Sequence, residues 1–180
     1  GLEVASAAVD LGKSVTVVEA AARAMARVAS PATTNFVTQQ LTDAGVKFLF
    51  NKKIEGFDAV DHRISSVNLE DGTQVKADLV FAGIGATPNV ELAEAAGIEC
   101  DEGICVDQDM RTSDPDIFAI GDCANSDNPF APGKMRVETV HNATTQAQIA
   151  AAAICNKERP IPVPPRFWSD LKDMKVQAVG

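Results

Sequence analysis

Thr112-Ser113-Asp114-Pro115-Asp116-Ile117-Phe118-Ala119-Ile120-Gly121-Asp122 is the stretch on which the reading of this chain turns. Asp114-Pro115 is a turn signal, and Ile117 to Ile120 is an apolar run of the length of a fully buried strand. The run stops at Gly121, and an acidic side chain, Asp122, follows at once. In an open α/β sheet, ligands sit outside the carboxyl ends of the strands. Gly121 would let the backbone come close to such a ligand, and Asp122 would accept hydrogen bonds from sugar-like hydroxyls. Spacing alone favours the plainer reading, a strand ending in a solvated Gly-Asp turn.

Upstream, Leu2 to Leu11 has helical composition, with Gly12 where a C-terminal cap glycine belongs. Val15-Thr16-Val17-Val18 reads as a buried β-branched strand ending in Glu19. A helix followed by such a strand is the second half of a dinucleotide-binding βαβ unit, in which a glycine turn opens the helix and an acid about 20 residues on takes the ribose hydroxyls. Only the last fingerprint glycine could be present, as Gly1. The first strand and the other glycines are therefore expected to precede this sequence, which reads as a fragment. Glu19 suits the free 2′-hydroxyl of NAD and repels the 2′-phosphate of NADP. Arg23 and Arg27 could instead approach a phosphate, or lie in a solvated loop.

Ser30-Pro31 starts a helix, with a capping serine before a first-turn proline. Phe36, Val37, Leu41 and Ala44 keep rough helical spacing to Gly45, and Val46 to Phe50 is the next strand. Lys53 to Lys76 reads as an antiparallel excursion with a hairpin turn at Asp71-Gly72. Leu79 to Ala82 is expected to return as a buried strand closing on Gly83-Ile84-Gly85, and Glu91 to Ala96 to form a short helix. Beyond Asp122, Asn125 to Gly133 reads as a loop, and an Ala-rich helix reaches about Cys155. Pro160 to Pro165 is an extended linker delivering Phe167-Trp168-Ser169-Asp170, and Met174 to Val179 starts a strand with nothing after it to pair with.

With 180 residues and 46% hydrophobic content, the chain can hold one ordinary domain or two small ones. A net charge of −9 argues against nucleic acid or an anionic membrane surface as partner. No apolar run approaches a bilayer span and no signal peptide is visible, so a cytoplasmic location is expected. Cys100, Cys105, Cys123 and Cys155 lack the spacing of a zinc site or dithiol motif, and His62 and His141 are too isolated for a metal site. Cys123 stands out only as the neighbour of Asp122.

Gly1-Leu2-Glu3-Val4-Ala5, Glu19-Ala20-Ala21, Val28-Ala29-Ser30-Pro31, Thr112 to Asp122, Val137-Glu138-Thr139-Val140 and Phe167-Trp168-Ser169-Asp170 occur here in one order. Together they resemble the oxygenase-coupled ferredoxin reductases, which include rubredoxin and putidaredoxin reductases. The resemblance implies an α/β chain of Rossmann-like, glutathione-reductase-like FAD- and NAD(P)-binding domains, here partial. It implies an NAD-binding domain over 1–104, a second FAD-domain segment over 105–166 and the start of a C-terminal domain over 167–180.

The implied activity passes hydride from NADH to FAD and then electrons to a small iron–sulfur protein, a ferredoxin or rubredoxin. By position, Glu3 would lie near the nicotinamide and flavin and Glu138 near the nicotinamide, both as catalytic residues. Gly1, Glu19, Arg27, Gly83 and Gly85 would serve NAD, while Asp122, Val140 at the helix start and Trp168 would serve the flavin. The helix after Asp122 would aim its positive N-terminus at the flavin's pyrimidine edge. Related readings are an NADH oxidase, a nitrite reductase flavin subunit, a disulfide reductase, or a non-enzymatic protein of the apoptosis-inducing-factor type. The first FAD-binding βαβ unit and the lysine expected near the flavin are absent, so this chain alone is expected to bind FAD poorly.

Overall fold

The computed structural model describes residues 1–179. Helix α1 (Leu2–Asp10) leads to β1 (Val15–Glu19), then α2 (Pro31–Asp43) and β2 (Val46–Phe50). Three strands follow, β3 (Ile54–Val60), β4 (Arg63–Leu69) and β5 (Gln74–Lys76), before the short helix α3 (Glu91–Ala95). Strands β6 (Ile104–Cys105), β7 (Ala124–Asp127) and β8 (Lys134–Met135) precede helix α4 (Val140–Ile154), and β9 (Arg166–Leu171) and β10 (Met174–Val179) end the chain. Contacts divide these elements into two units, Gly1–Ile84 with Ser169–Val176, and Gly85–Trp168 with the residues from Gln177. That division lies upstream of the 104/105 boundary that the resemblance implies.

In the first unit, α1 ends as its sequence predicts. Gly12 takes φ +70°, and the Gly12 and Lys13 amides return to the carbonyls of Val9 and Ala8. The chain turns directly into β1, which pairs in parallel with β2 from Val15↔Val46 to Glu19↔Phe50. Helix α2 crosses between them, capped by Ser30, whose hydroxyl accepts the Thr33 amide at 3.2 Å. Val37, Leu41 and Val46 close the core below this crossover, and Phe36, expected on the same face, is 58% exposed. The excursion β3-β4-β5 is antiparallel throughout. Asp71 at its second turn pairs with Lys52, which holds its carboxyl near pKa 2.

Four sequence expectations change. Leu79 to Ala82 forms no strand, and Leu79 and Phe81 are 85% and 61% exposed. An apolar run becomes a strand only where a neighbour takes its backbone groups, and none lies beside it among the described residues. Ile117 to Ile120 likewise carries only the isolated bridge Arg111↔Phe118. The third concerns the C-terminus. Met174 to Val179 does find a partner, pairing back onto β9 as a hairpin. The loop foreseen over Asn125 to Gly133 is also shorter, because β7 already runs to Asp127.

The second unit is built on the parallel pair β6–β7, with Ile104↔Ala124 and Cys105↔Asn125, and on β8, antiparallel to β7. Val106, Met110, Ala119 and Ala124 form its core against Ile149 and Ala150 of α4. The one-sided apolar face of α4 explains its alternation of Ala and Ile with Thr and Gln.

Candidate functional site

In the second unit, the stretch Thr112 to Asp122 is held by its own polar side chains rather than by a ladder. The Thr112 hydroxyl accepts the Asp114 amide at 3.2 Å, and the Asp114 carboxylate accepts the Asp116 amide at 2.9 Å. The Arg111 guanidinium lies 4.6 Å from the centre of the Phe118 ring and donates to the Pro115 carbonyl at 2.6 Å. This framework delivers Ala119 to the core and Gly121 to a 3-10 turn over Gly121–Cys123.

Gly121 is buried at φ +77°, a conformation that favours glycine. Its amide donates to Gln146 Oε1 on α4 at 2.7 Å, and Gln146 Nε2 lies 3.2 Å from the Ser126 hydroxyl. Gln146 therefore ties the turn and β7 to α4 in a buried network. Asp122 follows on the exposed side of the turn, with no hydrogen-bond partner for its carboxylate among the described residues. Arg136 donates to the Asp122 carbonyl at 2.9 Å and pairs with Glu138 at 2.7 Å. The Arg136 stem passes over Gly103, where any Cβ would fall 2.6 Å from Arg136 Cδ and 2.8 Å from the Cys123 carbonyl.

Helix α4 begins immediately beyond Glu138. Thr139 caps it by accepting the Asn142 amide at 3.1 Å, and Val140 at its first position is 67% exposed. His141 Nδ1 is buried with no partner among the described residues. Among the cysteines, all four are free, and partial burial with the nearby Glu94 charge pushes the Cys100 thiol up, away from the reactive thiolate.

The first unit carries the other group of expected residues. Helix α1 and strand β1 are joined by a short turn and run in opposite directions. At about 1.5 Å per helical residue and 3.3 Å per strand residue, both span roughly 15 Å. The start of α1 and the tip of β1 consequently share one end of the unit. There, a Cβ on Gly83 would lie 3.3 Å from both N and Cα of Gly1, so the two backbones meet where only glycine fits easily. Glu19 Oε1 accepts the Ala21 amide at 2.8 Å, which orients the carboxylate and leaves Oε2 open. Arg23 is committed elsewhere, donating to the carbonyls of Ala29 and Ala26 at 2.8 and 2.9 Å. Arg27 is exposed without a partner among the described residues.

Glu3, on the first turn of α1, directs Oε1 to the Ser169 hydroxyl at 2.7 Å and the Asp170 amide at 3.3 Å. Trp168, just before Ser169, is 50% exposed. Gly85 has φ +104° and belongs to the second unit. The structure thus groups Gly1, Glu3, Glu19 and Gly83 in one unit, and Asp122, Glu138 and Val140 in the other. Arg136 and Gln146 are hydrogen-bonding neighbours of the Gly121-Asp122 turn that the sequence reading did not assign. The Arg136–Glu138 spacing of two, which puts both on one side of an extended chain, was the available signal.

A glycine at a helix start, an acid at the next strand tip, and a Gly-Asp turn under a capped helix define a dinucleotide-binding α/β protein of the FAD- and NAD-linked reductase type. The chain belongs to the pyridine nucleotide-disulphide oxidoreductase family, whose sequence profile matches residues 1–147. It is 51% identical over its whole length to a rubredoxin-NAD(+) reductase of Pseudomonas putida, covering 47% of that protein. The ferredoxin reductase for the CYP199A2 system of Rhodopseudomonas palustris superposes with a TM-score of 0.95 at 42% identity, over 99% of this chain and 44% of that one. Putidaredoxin reductase in its covalent complex with putidaredoxin also gives a TM-score of 0.95, at 40% identity over 99% of this chain and 43% of that one. The chain therefore spans about half the length of the curated relatives it matches.

Proposed function

We propose that this chain carries part of the NAD site and part of the FAD site of an NADH-dependent reductase that delivers electrons to a small iron–sulfur protein, a rubredoxin or ferredoxin. The observation that carries the reading is the Gly121-Asp122 turn. An unpaired, exposed carboxylate sits there on a left-handed glycine locked to α4 by Gln146. That acceptor fits a polyhydroxyl chain, since a carboxylate accepts only and needs O–H donors opposite it. Beside the capped helix start, His141 Nδ1 is buried and has no partner among the described residues.

When bound, the flavin accepts two electrons from reduced nicotinamide and releases them singly. The protein's work is placement. Asp122 holds the sugar-like chain, while the start of α4 sets favourable potential for negative charge at the ring edge. The Arg136–Glu138 pair fixes the approach to that edge. At the other site, Gly1 and Gly83 let the two backbones meet, and Oε2 of Glu19 accepts ribose hydroxyls. Val140 and Trp168 offer exposed apolar surface suited to a ring system. We place the protein in the cytoplasm, in keeping with four free cysteines. Among the described residues no helix is long and apolar enough to cross a membrane.

Glu19→Ala tests the nucleotide half. In protein expressed from its natural start, it should raise the KM for NADH about tenfold, the loss of one or two charged hydrogen bonds, and change that for NADPH little. An unchanged NADH KM would remove Glu19 from the site and turn attention to Arg27.

A further inference from the structure

The interactions of α1 with the C-terminal hairpin form a single fastening. Near its N-terminus, Glu3 Oε1 accepts both the Ser169 hydroxyl and the Asp170 amide. At its last residue, Asp10 pairs with Lys172 at 3.2 Å. Between them Leu171, fully buried, enters the core formed by Val37, Leu41 and Val46, with Met174 and Val176 packed against its edge. The hairpin segment is thus pinned along the helix at both ends and wedged in the middle. Buried Leu171 fixes its depth, and the polar ties fix its direction.

We propose that Glu3 is a positioning residue that latches β9 through Ser169 and so sets the backbone from which Trp168 projects. This deepens the reductase reading, on which the functional value of a placed Trp168 rests, but the latch stands on geometry within this chain. Glu3 uses one oxygen for both hydrogen bonds, so removing the carboxylate frees two donors at once. Serine contributes the shorter bond, and its loss leaves only the 3.3 Å amide contact. Leu171 would still anchor the far side of the strand, so the expected change is local loosening rather than unfolding.

Trp168 is the sole tryptophan, which makes its fluorescence a direct reporter. In the 180-residue chain without ligand, Ser169→Ala and Glu3→Ala should each red-shift the emission. Because Trp168 is 50% exposed, full release would raise the acrylamide quenching constant about twofold. Ser169→Thr, which keeps the hydroxyl, should restore the parent value, a rescue that a general stability effect would not give. If Glu3→Ala fails to fold, as judged by circular dichroism, the Ser169→Ala and Ser169→Thr pair decides alone. Parent-like emission and quenching in Ser169→Ala would overturn the latch. That outcome is also the one expected if Glu3 serves the nucleotide only. Because no flavin or nucleotide is present, failure of the reductase reading would leave this result untouched.

Discussion

Asp122→Ala, in protein expressed from its natural start, is expected to weaken FAD binding about 100-fold, with the purified protein largely colourless at micromolar concentration. The reason lies in what the carboxylate lacks. It sits exposed on the Gly121 turn with no partner among the described residues, so a ligand's hydroxyls would meet an acceptor not engaged elsewhere. Two charge-assisted hydrogen bonds at roughly 1.5 kcal/mol each or more give a loss of this size. The turn itself should survive, since Gly121 is held by Gln146 rather than by Asp122, and Arg136 grips the Asp122 carbonyl, which alanine retains. Asp122→Asn, still an acceptor, should fall between. Parent-like affinity in Asp122→Ala, measured by flavin fluorescence titration, would remove this turn from the flavin site.

Leu41→Ala is expected to destabilise the first unit by about 3 kcal/mol, within the usual range for a fully buried leucine. Leu41 lies on the α2 face that closes over β2 and receives Leu171. Its truncation leaves a hole bordered by three separate elements, which cannot all collapse into it. The urea midpoint reports the change. Phe36→Ala provides the contrast, because its ring is 58% exposed and its loss should move stability by no more than about 0.5 kcal/mol. A comparable loss from both substitutions would mean that α2 packs by a different face.

That contrast marks where sequence reasoning reached and where it stopped. Phe36 and Val37 are adjacent and both apolar, and the helical period alone did not say which lies at the centre of the buried stripe. Elements with local signals were legible. Gly12 after α1, Ser30-Pro31 before α2 and Asp71-Gly72 in the excursion each encode their own backbone geometry. Strands were not equally legible, because a strand exists only with its neighbour. Leu79 to Ala82 and Ile117 to Ile120 have strand composition without a ladder, whereas Met174 to Val179 pairs with the strand before it.

The site shows the same division. Asp122 and Glu19 could be proposed from the sequence because each is an acid at the end of an apolar run. Arg23 was ambiguous in sequence, and its hydrogen bonds to Ala26 and Ala29 give it a structural role in the loop before α2. The partner of Glu3 lies 166 residues away, a contact with no local signature. Gln146 stood out only as one of several polar residues on an Ala-rich helix, and its role depends on the fold bringing Gly121 and Ser126 to either end of one amide.

The most direct test of the account is the visible absorption spectrum of the protein expressed from its natural start, recorded before and after anaerobic addition of NADH, with NADPH in parallel. The account predicts a bound-flavin spectrum that NADH bleaches in preference to NADPH. Absence of flavin from protein that is otherwise folded would contradict it, leaving a dinucleotide-binding fold without the reductase function assigned to Asp122 and α4.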